Sequence, residues 1–213
     1  SRGLGDVYKR QAMAFLEAAV VVYLRELYYP EGFSFPLKMI PMKIYAVELG
    51  REAATIIMLA AIGWLSAKSF LNRFASFAIA FGVWDIFYYL FLKITLNWPS
   101  NILDWDLLFL IPLPWVGPFI APVIVSIFLI MAGLHIWLRE AQKNPIIASK
   151  WHWILEGLAG LIIIGSFLTN AKAMINQTLP NPFHWEIFFI GLLLGIGVFY
   201  HATKKSKILG TVA

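Results

Sequence analysis

Cysteine is absent from these 213 residues, and charge is scarce at 14% of the chain. Without thiols, disulfides, thiolate metal centres and cysteine nucleophiles are excluded. Charged residues make up about a quarter of ordinary soluble domains. A chain that is 60% hydrophobic, with a mean hydropathy of +0.74, has too little polar surface to cover a water-facing fold. Several chemistry-bearing motifs are missing too: no GxSxG elbow, no phosphate loop, no dinucleotide fingerprint and no HExxH. The formal charge of +5 comes with no basic patch standing clear of apolar sequence, so nucleic acid is not an expected partner. The lipid bilayer is.

What is present is long apolar runs. About 20 apolar residues cross a bilayer core as a helix. Six segments approach or meet that length: 12–29, 42–67, 70–96, 119–138, 151–170 and 184–201. The expected fold is therefore all-α, a polytopic bundle of about six transmembrane helices forming one domain over 12–213. Residues 1–11 are set apart, because Asp6-Val7-Tyr8-Lys9-Arg10-Gln11 reads like a translated sequencing adapter. Pro30-Glu31-Gly32, Asn97-Trp98-Pro99-Ser100, Asn144-Pro145 and Pro180-Asn181-Pro182 break the chain between helices.

The segment 101–122 differs from the rest. Its apolar stretch from Leu107 to Ile111 is too short to span, and Pro112, Pro114, Pro118 and Pro122 forbid one regular helix. A re-entrant or interfacial element is expected between the third and fourth helices, with Trp98, Trp105 and Trp115 suited to the headgroup layer.

Basic residues favour the side that would hold both termini. Lys68, Arg73, Arg139, Lys143, Lys150, Lys204, Lys205 and Lys207 stand against Arg25, Lys38, Lys43, Lys93 and Lys172, eight to five. This predicts a multi-pass protein of a bacterial inner membrane with cytoplasmic termini.

Ionisable residues inside apolar helices are the leading site candidates, since a charge at the bilayer centre costs about 2.5–3.5 kcal/mol or more. Glu48, Arg51, Glu52 and Thr55 share one helical face, and Asp85, Tyr88, Tyr89 and Lys93 form a second stripe. The two stripes are expected to face each other, with Arg51 paired to Asp85 or Glu52. Asp104 and Asp106 join them if the proline-rich loop folds back. The acid excess suits a proton, a cation or a small solute crossing through a buried site in the outer half. A buried ion-pair network with a purely structural role is the competing reading.

His135, His152 and His201 are expected at the cytoplasmic face, with Glu156 one turn after His152. They support a second function, a membrane-embedded redox enzyme binding haem or a divalent metal, although no cofactor is predicted outright. A third is a non-catalytic assembly or scaffold subunit. Gly191 and Gly195 match GxxxG, a signal for close helix packing within the chain or in a homo-oligomer. Trp84-Asp85, Tyr88-Tyr89, Lys93, Trp98-Pro99, Trp105-Asp106 and the run Pro112 to Pro118 together resemble a family of uncharacterised bacterial multi-pass membrane proteins. That resemblance implies a membrane fold and no reaction, substrate or cofactor.

Overall fold

The computed structural model describes the backbone over residues 2–210 and side chains over 11–204. The elements in order are α1 (Arg2–Tyr28), α2 (Met42–Ser66), α3 (Phe70–Leu96), β1 (Trp105–Phe109), β2 (Trp115–Pro118), α4 (Ile120–Ala141), α5 (Lys150–Leu168), α6 (Ala171–Ile175) and α7 (Trp185–Gly210). The chain is all-α apart from one hairpin. Residues 2–10, read from sequence as lying outside the domain, continue the α1 backbone.

Among the described residues, four helices are long and apolar enough to cross a membrane: Phe70–Leu96, Ile120–Ala141, Lys150–Ile175 and Trp185–Lys204. The six expected from sequence therefore divide into four such helices and two, α1 and α2, that carry more charge. Leu65, Ile94, Leu161 and Leu193 are 84%, 69%, 66% and 65% exposed. Water penalises large apolar patches of this kind, whereas lipid does not.

The boundaries have local causes. Ser69 caps α3 by accepting the Asn72 amide at 3.3 Å. Asn97 ends it in the left-handed conformation, φ 52°, a role asparagine tolerates. Ser149 and His152 form a reciprocal cap at the start of α5.

α3 is the central helix, 56% buried along its span against 22% for α4 and 28% for α5 and α7. It packs on α1, α2 and α4, while α5 and α7 form a second unit. Glycines allow the closest approaches. A Cβ at Gly82 would come 2.6 Å from the Ser126 carbonyl oxygen on α4, and one at Gly191 of α7 would come 2.9 Å from the Ala159 carbonyl oxygen on α5. The Gly191/Gly195 pair is thus used inside the chain, between α7 and α5.

Within 101–122, where a re-entrant or interfacial element is expected, the chain forms a β-hairpin. β1 and β2 pair antiparallel, with Trp105 opposite Pro118 and Leu107 opposite Val116, and an irregularity precedes Phe109. Proline fits here because a two-stranded ribbon has edges on both sides. The hairpin rests on an aromatic cluster: a Cβ at Gly117 would lie 2.9 Å from Phe183 and 3.0 Å from Phe167.

Candidate functional site

On α2 the residues Glu48, Glu52, Thr55, Leu59 and Gly63 are buried, a helical stripe facing inward. α1 supplies Glu17 and Arg25, neither of which is among the site residues expected from sequence. Both are buried, 8% and 6% exposed. The Glu17 carboxylate pairs with the Arg51 guanidinium and accepts the Thr55 hydroxyl at 2.9 Å. Arg51 also donates to Glu48 at 2.7 Å and 2.8 Å. The expected hydrogen-bonded pairing of Arg51 with Asp85 or Glu52 does not form. Arg51 donates to the two glutamates that α1 and α2 bring to it, and Asp85 and Glu52 accept from neutral donors, with Glu52 still in the field of the Arg51 charge.

Asp85 accepts the Ser126 hydroxyl at 2.8 Å, across the tight α3–α4 crossing. Glu52 receives the Leu110 amide with both oxygens, at 2.9 Å and 3.0 Å, which ties the hairpin tip to the middle of α2. Asp106, 1% exposed, accepts from Arg25 at 2.8 Å. Tyr89 lies near enough to act on the Asp106 charge without a well-formed hydrogen bond. Tyr88 stands among Asp106, Arg25, Arg51 and Asp85, in the field of all four.

These groups border one cavity of about 1340 Å³. Its lining includes Tyr29 and Lys38 at the hairpin end and Phe74, Trp153 and Glu156 toward the other. From Tyr89 back to Phe74 is about 22 Å along α3 at roughly 1.5 Å per residue. Most of the wall is apolar. The charged groups concentrate in the half nearer the hairpin, where Glu17, Glu48, Glu52, Asp85 and Asp106 outnumber Arg25, Arg51 and Lys38. Carboxyls in excess of cations in a low-dielectric setting must be neutralised by protons or by a bound cation.

Of the residues singled out from sequence, Glu48, Arg51, Glu52, Asp85, Tyr88, Tyr89 and Asp106 converge on this cavity. Two do not. Lys93 donates to the Pro99 carbonyl at 3.0 Å beyond the end of α3. Asp104 accepts the Ser100 and Asn101 amides at 2.7 Å and 2.9 Å and shapes the following turn. Burial pushes the Asp104 carboxyl up, but these amides, the Ser100 hydroxyl and the Lys93 charge outweigh it and hold it below its ordinary value.

At the far end His152 Nε2 and His201 Nδ1 lie 3.1 Å apart, and His152 Nδ1 faces the Ser149 amide at 3.0 Å. His135 sits against the Phe199 ring, centroids 5.9 Å apart. Glu156, one turn along α5, belongs to the cavity wall beside Gly195. No group of three or more metal-ligating side chains forms among the described residues.

No family model, curated protein or solved structure matches the chain.

Proposed function

We propose that this chain is a multi-pass membrane protein that binds a small solute in the cavity and moves it across the bilayer, with protons or cations balancing the buried carboxyls. The observation carrying this reading is the convergence of five carboxyls, two guanidinium groups and the Lys38 ammonium on the hairpin half of one cavity of about 1340 Å³. A bundle that needed the charges only for packing would close around them, since unfilled space forfeits dispersion contacts.

In this reading all six long helices cross. Glu17 and Arg25 of α1 and Glu48 and Glu52 of α2 turn inward, and the outer faces carry apolar residues: Leu16, Leu27, Ile57 and Leu65 are 66%, 73%, 67% and 84% exposed. Both termini lie in the cytoplasm of a bacterial cell, as the distribution of lysine and arginine favours. Burying Arg25 against Asp106 removes one cation from the outer tally and strengthens that bias.

The test is reconstitution into sealed vesicles carrying a trapped pH dye, with an imposed potassium diffusion potential. Proton or solute flux should fall sharply in Asp85→Asn and Glu52→Gln. Unchanged flux in both, in folded protein, would remove the site from the mechanism.

The His152–His201 contact favours a second reading, a metal or haem redox protein. It is checked by an absorption spectrum and metal analysis of the purified protein. Bound iron, copper or zinc near one equivalent, lost on His152→Ala, would support it.

A further inference from the structure

The walls of the cavity differ from one region to the next, and the differences describe an occupant. Near the carboxyl cluster the wall is aromatic. Trp84 stacks on Tyr88 with ring centroids 6.4 Å apart and planes at 23°, and also meets Phe109 at 6.3 Å. Phe109 in turn meets Trp115 at 5.4 Å, which makes the wall continuous. Glu52 grips the Leu110 amide, so its carboxylate sits next to Phe109. Aromatic faces combined with carboxylates recognise quaternary ammonium groups, which cannot donate hydrogen bonds and are read by ring quadrupoles and charge.

Away from the cluster the wall is mostly apolar, with Phe74, Phe77 and Phe128 among its aliphatic side chains and Glu156 its one carboxyl, and along α5 the glycines expose backbone. Gly157 and Gly160 line the cavity, and a Cβ built at either meets nothing within 4 Å. These glycines are not packing against another helix. They widen the cavity along α5.

The cavity also reaches the apolar flank of the bundle. Ile56 and Ile57 on α2 line it and are 37% and 67% exposed. α2 packs on α3 and α5 packs on α7, with no extensive contact between α2 and α5. A molecule dissolved in lipid could pass between them.

We propose that the transported solute is a cationic amphiphile: a long alkyl chain bearing a quaternary ammonium head. The head occupies the aromatic wall beside Glu52 and Asp85, with Tyr88 in contact, and the chain lies along the Gly157–Gly160 face. Access is sideways from the bilayer between α2 and α5. A phosphocholine head is disfavoured, because its phosphate would lie against the carboxyls. This inference rests on the transport reading above and names its substrate class.

The experiment is titration calorimetry on full-length protein in neutral maltoside micelles, with a long-chain alkyltrimethylammonium as the probe. Tetramethylammonium, an alkyl sulfate and an alkylphosphocholine of equal chain length are the comparisons. Saturable binding of the alkyltrimethylammonium is expected, weaker by about tenfold or more for each comparison. Gly160→Leu and Gly157→Leu should each weaken it about tenfold by filling the chain's space, and Tyr88→Leu should do so by removing a ring face. Gly197→Leu, outside the cavity and with no neighbour within 4 Å of its Cβ, should leave binding unchanged.

Equal binding of the alkyl sulfate or the phosphocholine compound would overturn the proposal. So would unchanged affinity in the folded glycine variants. Tyr88→Leu supplies an independent result should one glycine variant fail to fold. Vesicle flux separates this inference from the reading beneath it. Binding without flux refutes transport and leaves the amphiphile site standing; flux of protons or small cations without amphiphile binding refutes the site assignment and leaves transport.

Discussion

The Arg25 guanidinium donates to the Asp106 carboxylate at 2.8 Å while lying 3.9 Å from the centroid of the Trp98 ring. α1 is thereby joined to the hairpin by an ion pair buried on both sides, at 7% and 2% side-chain exposure. Such a pair stabilises little relative to apolar residues of equal size, but breaking it strands a charge. Arg25→Met should cost about 3–5 kcal/mol of unfolding free energy in detergent. The double variant Arg25→Met, Asp106→Leu should recover most of that loss. A double-mutant cycle on unfolding midpoints checks this, and additive losses would show that the two side chains do not depend on each other.

Ser126→Ala removes the hydroxyl that Asp85 accepts across the α3–α4 crossing. The aspartate then lacks its hydrogen-bonded side-chain partner, at a cost of about 1–3 kcal/mol. Ser126→Thr keeps the hydroxyl but adds a methyl where Gly82 already approaches the Ser126 carbonyl closely. Thermal unfolding should rank wild type above both, and an alanine variant as stable as wild type would show that the bond contributes nothing.

Gly82→Val tests the crossing itself. Its Cβ would meet the Ser126 carbonyl at 2.6 Å and Ile130 at 2.8 Å, and backbone cannot swing aside as a side-chain tip can. Overpacking of this kind costs about 1–3 kcal/mol or more. Gly157→Val, facing open space, should cost far less; melting temperatures of the two variants give the comparison.

Much of this arrangement is legible in the sequence, and what is hidden has identifiable causes. A 3.6-residue period placed Glu48, Glu52 and Thr55 on one buried face, because lipid leaves no other place for them. Asp85 was found by the same reasoning, and Asp106 on the condition that the proline-rich loop folds back. The partner of Arg51 was not, because it comes from α1, and no helical period within α2 or α3 points to a residue on another helix. The signal was present: Glu17 is a lone acid within an apolar run. The hairpin was missed because five and four residues with four nearby prolines give no measurable alternation. Asp104 was grouped with Asp106 from spacing alone, yet the first organises an exposed turn and the second is buried two residues later.

Asp104 gives a pH prediction. Its carboxyl titrates below the ordinary value in the folded chain, so it stabilises the 100–104 turn above about pH 4, the usual unfolded carboxylate range. That contribution declines as pH drops through the depressed folded value. Hydrogen exchange at the Ser100 and Asn101 amides should accelerate, relative to intrinsic rates, as pH is lowered through that window. Asp104→Asn should exchange fast at every pH, and a protection factor independent of both acid and the substitution would contradict the assignment.

Glu52 holds a peptide amide of the hairpin rather than a side chain. Every amino acid except proline brings that N–H to position 110, so the clasp is written entirely on the α2 side. A change at position 110 need not remove the donor, whereas a side chain at position 52 without an acceptor oxygen would release the hairpin tip. Of this contact, only the acceptor has to be spelled out in the sequence.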